Sequence, residues 1–270
     1  MPVRIVPPRP ADQPHPKTGL LDDRELTKTE FDDACRDFDA YFRINGSDRI
    51  DRTEQVLLWT KLRDFVDAVP DMGPHRGLAI FLGLSGTQMV YGYRVLSFTP
   101  SGAGYAYEPS LCAGDSGTRG YASHIYDGDH FQRVTPEEWA VYRQNYLTRV
   151  TVKRTVEGGF ESLDPLVDTH AIIFPWEDEM VALRAGNNDL IGNSNYHMII
   201  DSVSLVHPAI NGDCGNTTGG YRHGVCFYFE VKRLFGWEML VRDSSEIVIY
   251  RNRAADYGNM CPPKCRYFER

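Results

Sequence analysis

Between His124 and His130 the chain reads His-Ile-Tyr-Asp-Gly-Asp-His, which places two imidazoles and two carboxylates (His124, Asp127, Asp129 and His130) within seven residues. Imidazole and carboxylate together suit a hard or borderline metal ion, or a general acid paired with a general base. The same run is ordinary turn chemistry, because Asp tolerates left-handed backbone and Gly adopts it freely. A second chemical signal closes the chain, Cys261-Pro-Pro-Lys-Cys265. Its prolines stiffen the backbone between two thiols, and a three-residue gap lets both sulfurs reach one tetrahedral ion. Two thiolates do not make a site, so zinc would also need Cys214 and Cys226, or histidines such as His207 and His223, and that spacing matches no strong zinc pattern. A redox or disulfide pair is the other reading of the tail.

Weaker signals resolve into structure. Asn211 to Gly220 is rich in Gly and could form an anion-binding nest, but it lacks Gly-Lys-Ser/Thr and reads as a hairpin loop. His223 and Cys226 have the types of a base and a thiol nucleophile, yet at neighbouring strand positions their side chains need not meet. Ser85, within Gly83-Leu-Ser-Gly86, does not complete a nucleophile elbow. From Thr99 to His130 no period is sustained, and this Gly-rich stretch holds Tyr105, Tyr107, Tyr121 and Tyr126 beside the His/Asp cluster. Amphipathic rings in such a segment offer contact area at low entropic cost. They make it the first place to look for a protein or small-molecule ligand.

These residues need elements to hold them. Residues 1–25 carry prolines at 2, 7, 8, 10, 14 and 16 and read as an extended arm. Thr27-Lys-Thr-Glu30 is a capping box, followed by an apolar stripe through Phe31, Ala34, Cys35, Phe38 and Phe42. Thr60 reads as the cap of a short helix running to Val69, which Pro70 stops. Gly77 to Leu84 is a buried strand and Met89 to Phe98 its neighbour across a Ser-Gly-Thr turn. A second capping box, Thr135-Pro-Glu-Glu138, opens a helix whose face continues through Trp139, Tyr142, Tyr146 and Val150. Strands follow at Ala171–Phe174, Tyr196–Val206, Val225–Lys232 and Glu246–Tyr250, with a short helix over Glu177–Arg184.

Capping box, aromatic helix, Thr-entered apolar strand, short helix and strand occur in that order twice. An eight-residue insertion near Gly158-Gly159 brings the two series into step. The expected fold is therefore α+β with mixed or mainly antiparallel sheet, a single body over 26–270, with two related halves, 26–98 and 134–270, joined by the Gly/Tyr-rich segment 99–133.

Composition narrows the function. The longest apolar runs are five residues, against roughly 20 for a membrane-spanning helix, so no membrane partner is expected. A net charge of -8 repels phosphate backbones, so no nucleic acid is expected either. The proline-rich start lacks the apolar run of a secretory signal, and the six cysteines are accordingly read as mostly reduced thiols in a cytoplasmic protein.

The tail from Ala254 through Cys261-Pro-Pro-Lys-Cys265, taken with Trp59–Phe65 and the Gly77–Gly83 strand, resembles a group of uncharacterised bacterial proteins ending in Cys-Pro-Pro-x-Cys. That resemblance covers about a third of the chain and implies no activity. From the residues, the expected function is a binding or interaction module using the aromatic Gly-rich segment. The alternatives are a metal-dependent enzyme built on His124, Asp127, Asp129 and His130, and a structural protein whose Cys-ligated zinc clips the C-terminus to the body.

Overall fold

The computed structural model describes residues 25–26, 28–52, 55–69, 76–101, 104–108, 122–165, 168–169, 171–176, 196–207, 210–212, 215–217, 220–231, 254–255, 259–261 and 267–269. In chain order they form β1 (Glu25–Leu26), α1 (Lys28–Tyr41), β2 (Phe42–Ile44), β3 (Gln55–Leu58), α2 (Trp59–Asp67), β4 (Arg76–Ser85), β5 (Gln88–Ser101), β6 (Gly104–Glu108), β7 (His124–Tyr126) and β8 (Phe131–Arg133). Then come α3 (Pro136–Arg149), β9 (Val150–Lys153), β10 (Phe160–Ser162), β11 (Ala171–Pro175), β12 (Tyr196–His207), β13 (Ile210–Gly212), β14 (Gly215–Thr217), β15 (Gly220–Val231), β16 (Ala254–Ala255), β17 (Asn259–Cys261) and β18 (Tyr267–Glu269). The fold is α+β, and every pairing between these strands is antiparallel.

One sheet runs β1-β16-β15-β12-β3. In the largest sheet the path β8-β7-β5-β4-β11 passes through paired neighbours, with β17 beyond β11, and β6 and β18 continuing from the far end of β5. A third sheet, β10-β9-β2, ties the end of α1 to the end of α3. The turn leaving β2 holds Asn45 at φ 51° and Gly46 at φ 77°, left-handed geometry that these two residue types adopt most readily.

β4 is apolar from Gly77 to Leu84 because both of its faces are covered there. Leu78, Ile80, Leu82 and Leu84 enter the main core with Tyr91, Tyr93 and Val95 of β5. The alternate positions face α3, and they are small where the helix comes closest. A Cβ on Gly83 would lie 2.9 Å from Tyr142 Cβ and 3.0 Å from the Trp139 ring, and one on Gly92 would lie 2.3 Å from Ala122 Cβ and 2.7 Å from that ring. Trp139 thus sits in a recess made by glycines, with Phe81 edge-on at 6.3 Å. On α1, Ala34, Cys35 and Phe38 form the buried stripe, and Phe38 stacks on Phe42 at 4.9 Å.

The second capping box forms as expected, with Thr135 Oγ1 accepting from the Glu138 amide at 3.2 Å and Glu138 Oε2 accepting from the Thr135 amide at 2.8 Å. Thr60 is not a cap. The apolar run Val56-Leu57-Leu58 is a strand that passes directly into α2, whose N-cap is Leu58 without a side-chain bond. Val150 likewise leaves the helix and starts β9, where Val150 and Val152 point inward and Thr151 and Lys153 are half-buried. Thr99–His130 is not one long connection, since β6 and β7 lie within it. The last residue of the expected arm, Glu25, is paired with Ala255. Thr27, Glu177–Arg184 and Glu246–Tyr250 lie outside the described residues.

Candidate functional site

The His/Asp cluster forms the β7–β8 hairpin. Strand pairing puts Tyr126 opposite Phe131 beside the turn and His124 opposite Arg133 at the open end. At about 3.3 Å per residue, position 124 lies some 10 Å along the strand from position 127. The cluster therefore divides into a turn and a separate imidazole.

At the turn, Asp127 Oδ1 accepts the amides of Asp129 at 2.9 Å and His130 at 2.7 Å, while its other oxygen accepts from the Gln132 side chain. Those two amide bonds are the main reason its carboxyl is held below the usual range. Gly128 supplies the turn's φ of 108°. Asp129 faces outward, with His130 Nδ1 at 3.0 Å and Lys61 Nζ at 3.8 Å. Asp127 thus acts as the turn's own acceptor, and all four turn residues, 127–130, are exposed.

His124 is half-buried. Ser123 Oγ lies 3.1 Å from the Tyr93 carbonyl and 2.9 Å from His124 Nδ1. Burial, with Arg133 second, holds the His124 pKa below the ordinary value, so the ring is neutral at pH 7. Phe65 of α2 meets it edge-on at 4.9 Å and stacks on Phe131 at 4.3 Å. His124, Phe65 and Phe131 make a half-exposed aromatic strip, bordered by Lys61, Asp129 and Arg133.

Behind the strip the hairpin is bolted to the core. Tyr93 is fully buried and donates to Gln55 Oε1, and Gln55 Nε2 donates to the Tyr126 carbonyl at 3.2 Å. The Leu58 amide donates to the Tyr126 hydroxyl, while burial as the larger effect raises that hydroxyl's pKa. Edge strand β3 is in this way tied to β5 and β7 by side chains.

The other sequence candidates disperse. Tyr105 and Tyr107 occupy β6, opposite Pro100 and Phe98 of β5, two residues apart and so on one face. Tyr126 is buried, and Tyr121 lies outside the described residues. Of the four cysteines expected to hold zinc, Cys226 is on β15 and Cys261 on β17, strands of different sheets, while Cys214 and Cys265 lie outside the described residues. Among the described residues no three His, Cys, Asp or Glu side chains are grouped to hold a metal ion. No helix among them is long and apolar enough to cross a membrane.

His223 and Cys226, three apart on one strand, occupy opposite faces. The His223 ring is buried, with Nδ1 2.9 Å from the Tyr146 hydroxyl, which itself donates to the Thr169 carbonyl at 3.1 Å. Phe38 and Phe42 flank the ring at 4.7 and 5.5 Å. Burial pushes its pKa down to about 3. Nearby in sequence to Thr169, Asp168 takes a two-pronged bond from Arg154 at 2.7 and 2.6 Å and the Asp164 amide at 2.6 Å.

Sequence reasoning passed over Lys61, Phe65, Gln55, Ser123 and Phe131. Lys61 and Phe65 are one helical turn apart on α2, a spacing visible in the chain, but what they face depends on strand pairing. Compared with protein-family models, curated proteins and solved structures, the chain matches none.

Proposed function

We propose that this protein is a binding module that recognises a protein partner through the β7–β8 hairpin and the adjoining face of α2, and that its body consists of two related halves, 26–98 and 134–270. The observation that carries the reading is the half-exposed strip His124–Phe65–Phe131, held from behind by the Gln55–Tyr93–Tyr126 bonds and rimmed by charges of both signs. Aromatic anchors inside a polar rim are the anatomy of a recognition surface, and a pre-fixed backbone lowers the ordering cost of binding. The Asp127 carboxylate, which a metal-dependent reaction at 124–130 would need, is taken by the turn's amides.

The test is site-specific photo-crosslinking in the cell from which the chain comes. A photo-reactive residue at Gln132, exposed on β8, is expected to give a discrete adduct that disappears when Phe65 and Phe131 are both changed to Ala. The same group at Val156, exposed in the turn after β9, is expected to give none. Identical adducts from both sites, or an adduct indifferent to the aromatic substitutions, would defeat the proposal.

A further inference from the structure

We infer that the chain is two copies of one unit, fused so that each copy completes the other's sheet, and that the β7–β8 surface has a diverged counterpart where β16 meets β1. This does not depend on what the hairpin binds. The helices come first. α1 and α3 are both 14 residues long. A shift of 108 residues carries Arg43, in the strand leaving α1, onto Thr151, in the strand leaving α3, and these two residues are strand partners with a bond from Thr151 Oγ1 to the Arg43 carbonyl. On either side of them Phe42 pairs with Val152 and Ile44 with Val150, which the same shift interchanges. A residue paired with its own counterpart is what a twofold axis through that pair requires, and the flanking exchanges follow from the antiparallel pairing.

The sheets repeat the pattern. The strand pairing moves the boundary of the halves from the 99–133 segment as a whole to the β7–β8 turn within it, so that the first copy is the chain up to β7 and the second the chain from β8 to β16. One sheet, β1-β16-β15-β12-β3, draws its outer strands from the first copy and its inner three from the second. The path β8-β7-β5-β4-β11 has the same order with the copies interchanged. Correspondence holds at single pairs: Val56 opposite Ile199 answers to Ile172 opposite Ile80, and Phe227 opposite Ala255 answers to Gly92 opposite Ile125.

Helices cross over in the same way, α1 packing on β12 of the second copy and α3 on β4 of the first. Directly after β3 and β11, one residue out of step with the strand correspondence, Trp59 and Trp176 stack on each other with centroids 5.2 Å apart and planes at 7°. The second copy has the hairpin β9–β10 where the first has only the Asn45–Asp48 turn, which accounts for its extra residues. Common helix-start chemistry explains a recurring capping box. It does not explain reciprocal exchange of strands and helices about one self-paired residue.

In this scheme β16–β1 is the counterpart of β7–β8. Ala254 and Ala255 occupy the positions of His124 and Ile125, opposite corresponding residues of β15 and β5. The imidazole is thus kept at one of two equivalent strand positions, and the other carries an alanine pair.

Two measurements on the full-length chain test this. A protease site inserted between Gly128 and Asp129 allows the folded protein to be cut between the copies. The two fragments are expected to co-elute at the mass of the intact chain and to melt together, because both five-strand paths contain strands of each fragment; fragments that part without denaturant overturn the exchange. Separately, the cysteine pairs Val56→Cys with Ile199→Cys, and Ile80→Cys with Ile172→Cys, sit at paired Cα positions within disulfide reach. Both bridges are expected on peptide mapping under non-reducing conditions, to similar yield. Formation of one without the other, or of neither, overturns the equivalence even if the cut chain stays together.

Discussion

His223 shows how much of a residue's chemistry is set by groups far away in sequence. As text it stands three positions before Cys226 and suggests a base beside a nucleophile. In the fold it is enclosed by Phe38, Phe42 and Tyr146, none of them near it in the chain, and nothing in its local sequence announces that burial. Its pKa falls from 6.5 to about 3. The unfolded imidazole takes up a proton below about pH 6.5 that the native one refuses until near 3, so stability is lost progressively as pH falls through that window. The slope is about 1.4 kcal/mol per pH unit. Urea midpoints of the wild type and His223→Gln, measured from pH 7 to pH 4, should fall less steeply in the variant; equal slopes would contradict a buried neutral ring. The turn at Asp127 is the opposite case, since Asp-Gly-Asp already spells a turn and the carboxylate does what that spelling suggests.

Elements were legible where a local signal and a tertiary contact agree. The Thr135 box and Pro136 mark the start of α3, and the continuous apolar run marks β4. Short strands of mixed polarity, such as His-Ile-Tyr of β7 and Phe-Gln-Arg of β8, carry no period long enough to see, and they exist because β5 offers an edge. Gly83 of β4 and Gly92 of β5 are packing residues. Gly92→Ala is expected to cost about 1–3 kcal/mol by thermal or urea denaturation, because Ala122 and Trp139 already occupy the space of a Cβ. Gly159→Ala, with nothing within 4 Å, should stay within about 0.5 kcal/mol of wild type. A reversed order would mean that α3 does not lie against that face.

At the scale of the molecule, which strand pairs with which is not visible in the sequence, because partners such as β3 and β12, or β4 and β11, lie some 90 to 140 residues apart and leave no mark on each other. Since the sets β1-β16-β15-β12-β3 and β8-β7-β5-β4-β11 each mix strands from before and after the β7–β8 turn, neither is expected to melt alone. Urea unfolding followed by tryptophan fluorescence, to which the stacked Trp59 and Trp176 at the ends of β3 and β11 contribute, should coincide with unfolding followed by far-ultraviolet circular dichroism. Separate midpoints would show that the sheets come apart independently.

The same interleaving sets a timetable for synthesis. All strands on the path β8-β7-β5-β4-β11 lie between residues 76 and 175, so that set can close as soon as its stretch has left the ribosome. β3, by contrast, must wait for β12 while everything from Trp59 to Asn195 is translated. At about 5–20 residues per second the delay is on the order of 10 s. Throughout it, the Val-Leu-Leu edge of β3 stands without its partner strand on the nascent chain, the moment at which this protein is most exposed to misassembly with a neighbouring copy and has most need of a chaperone.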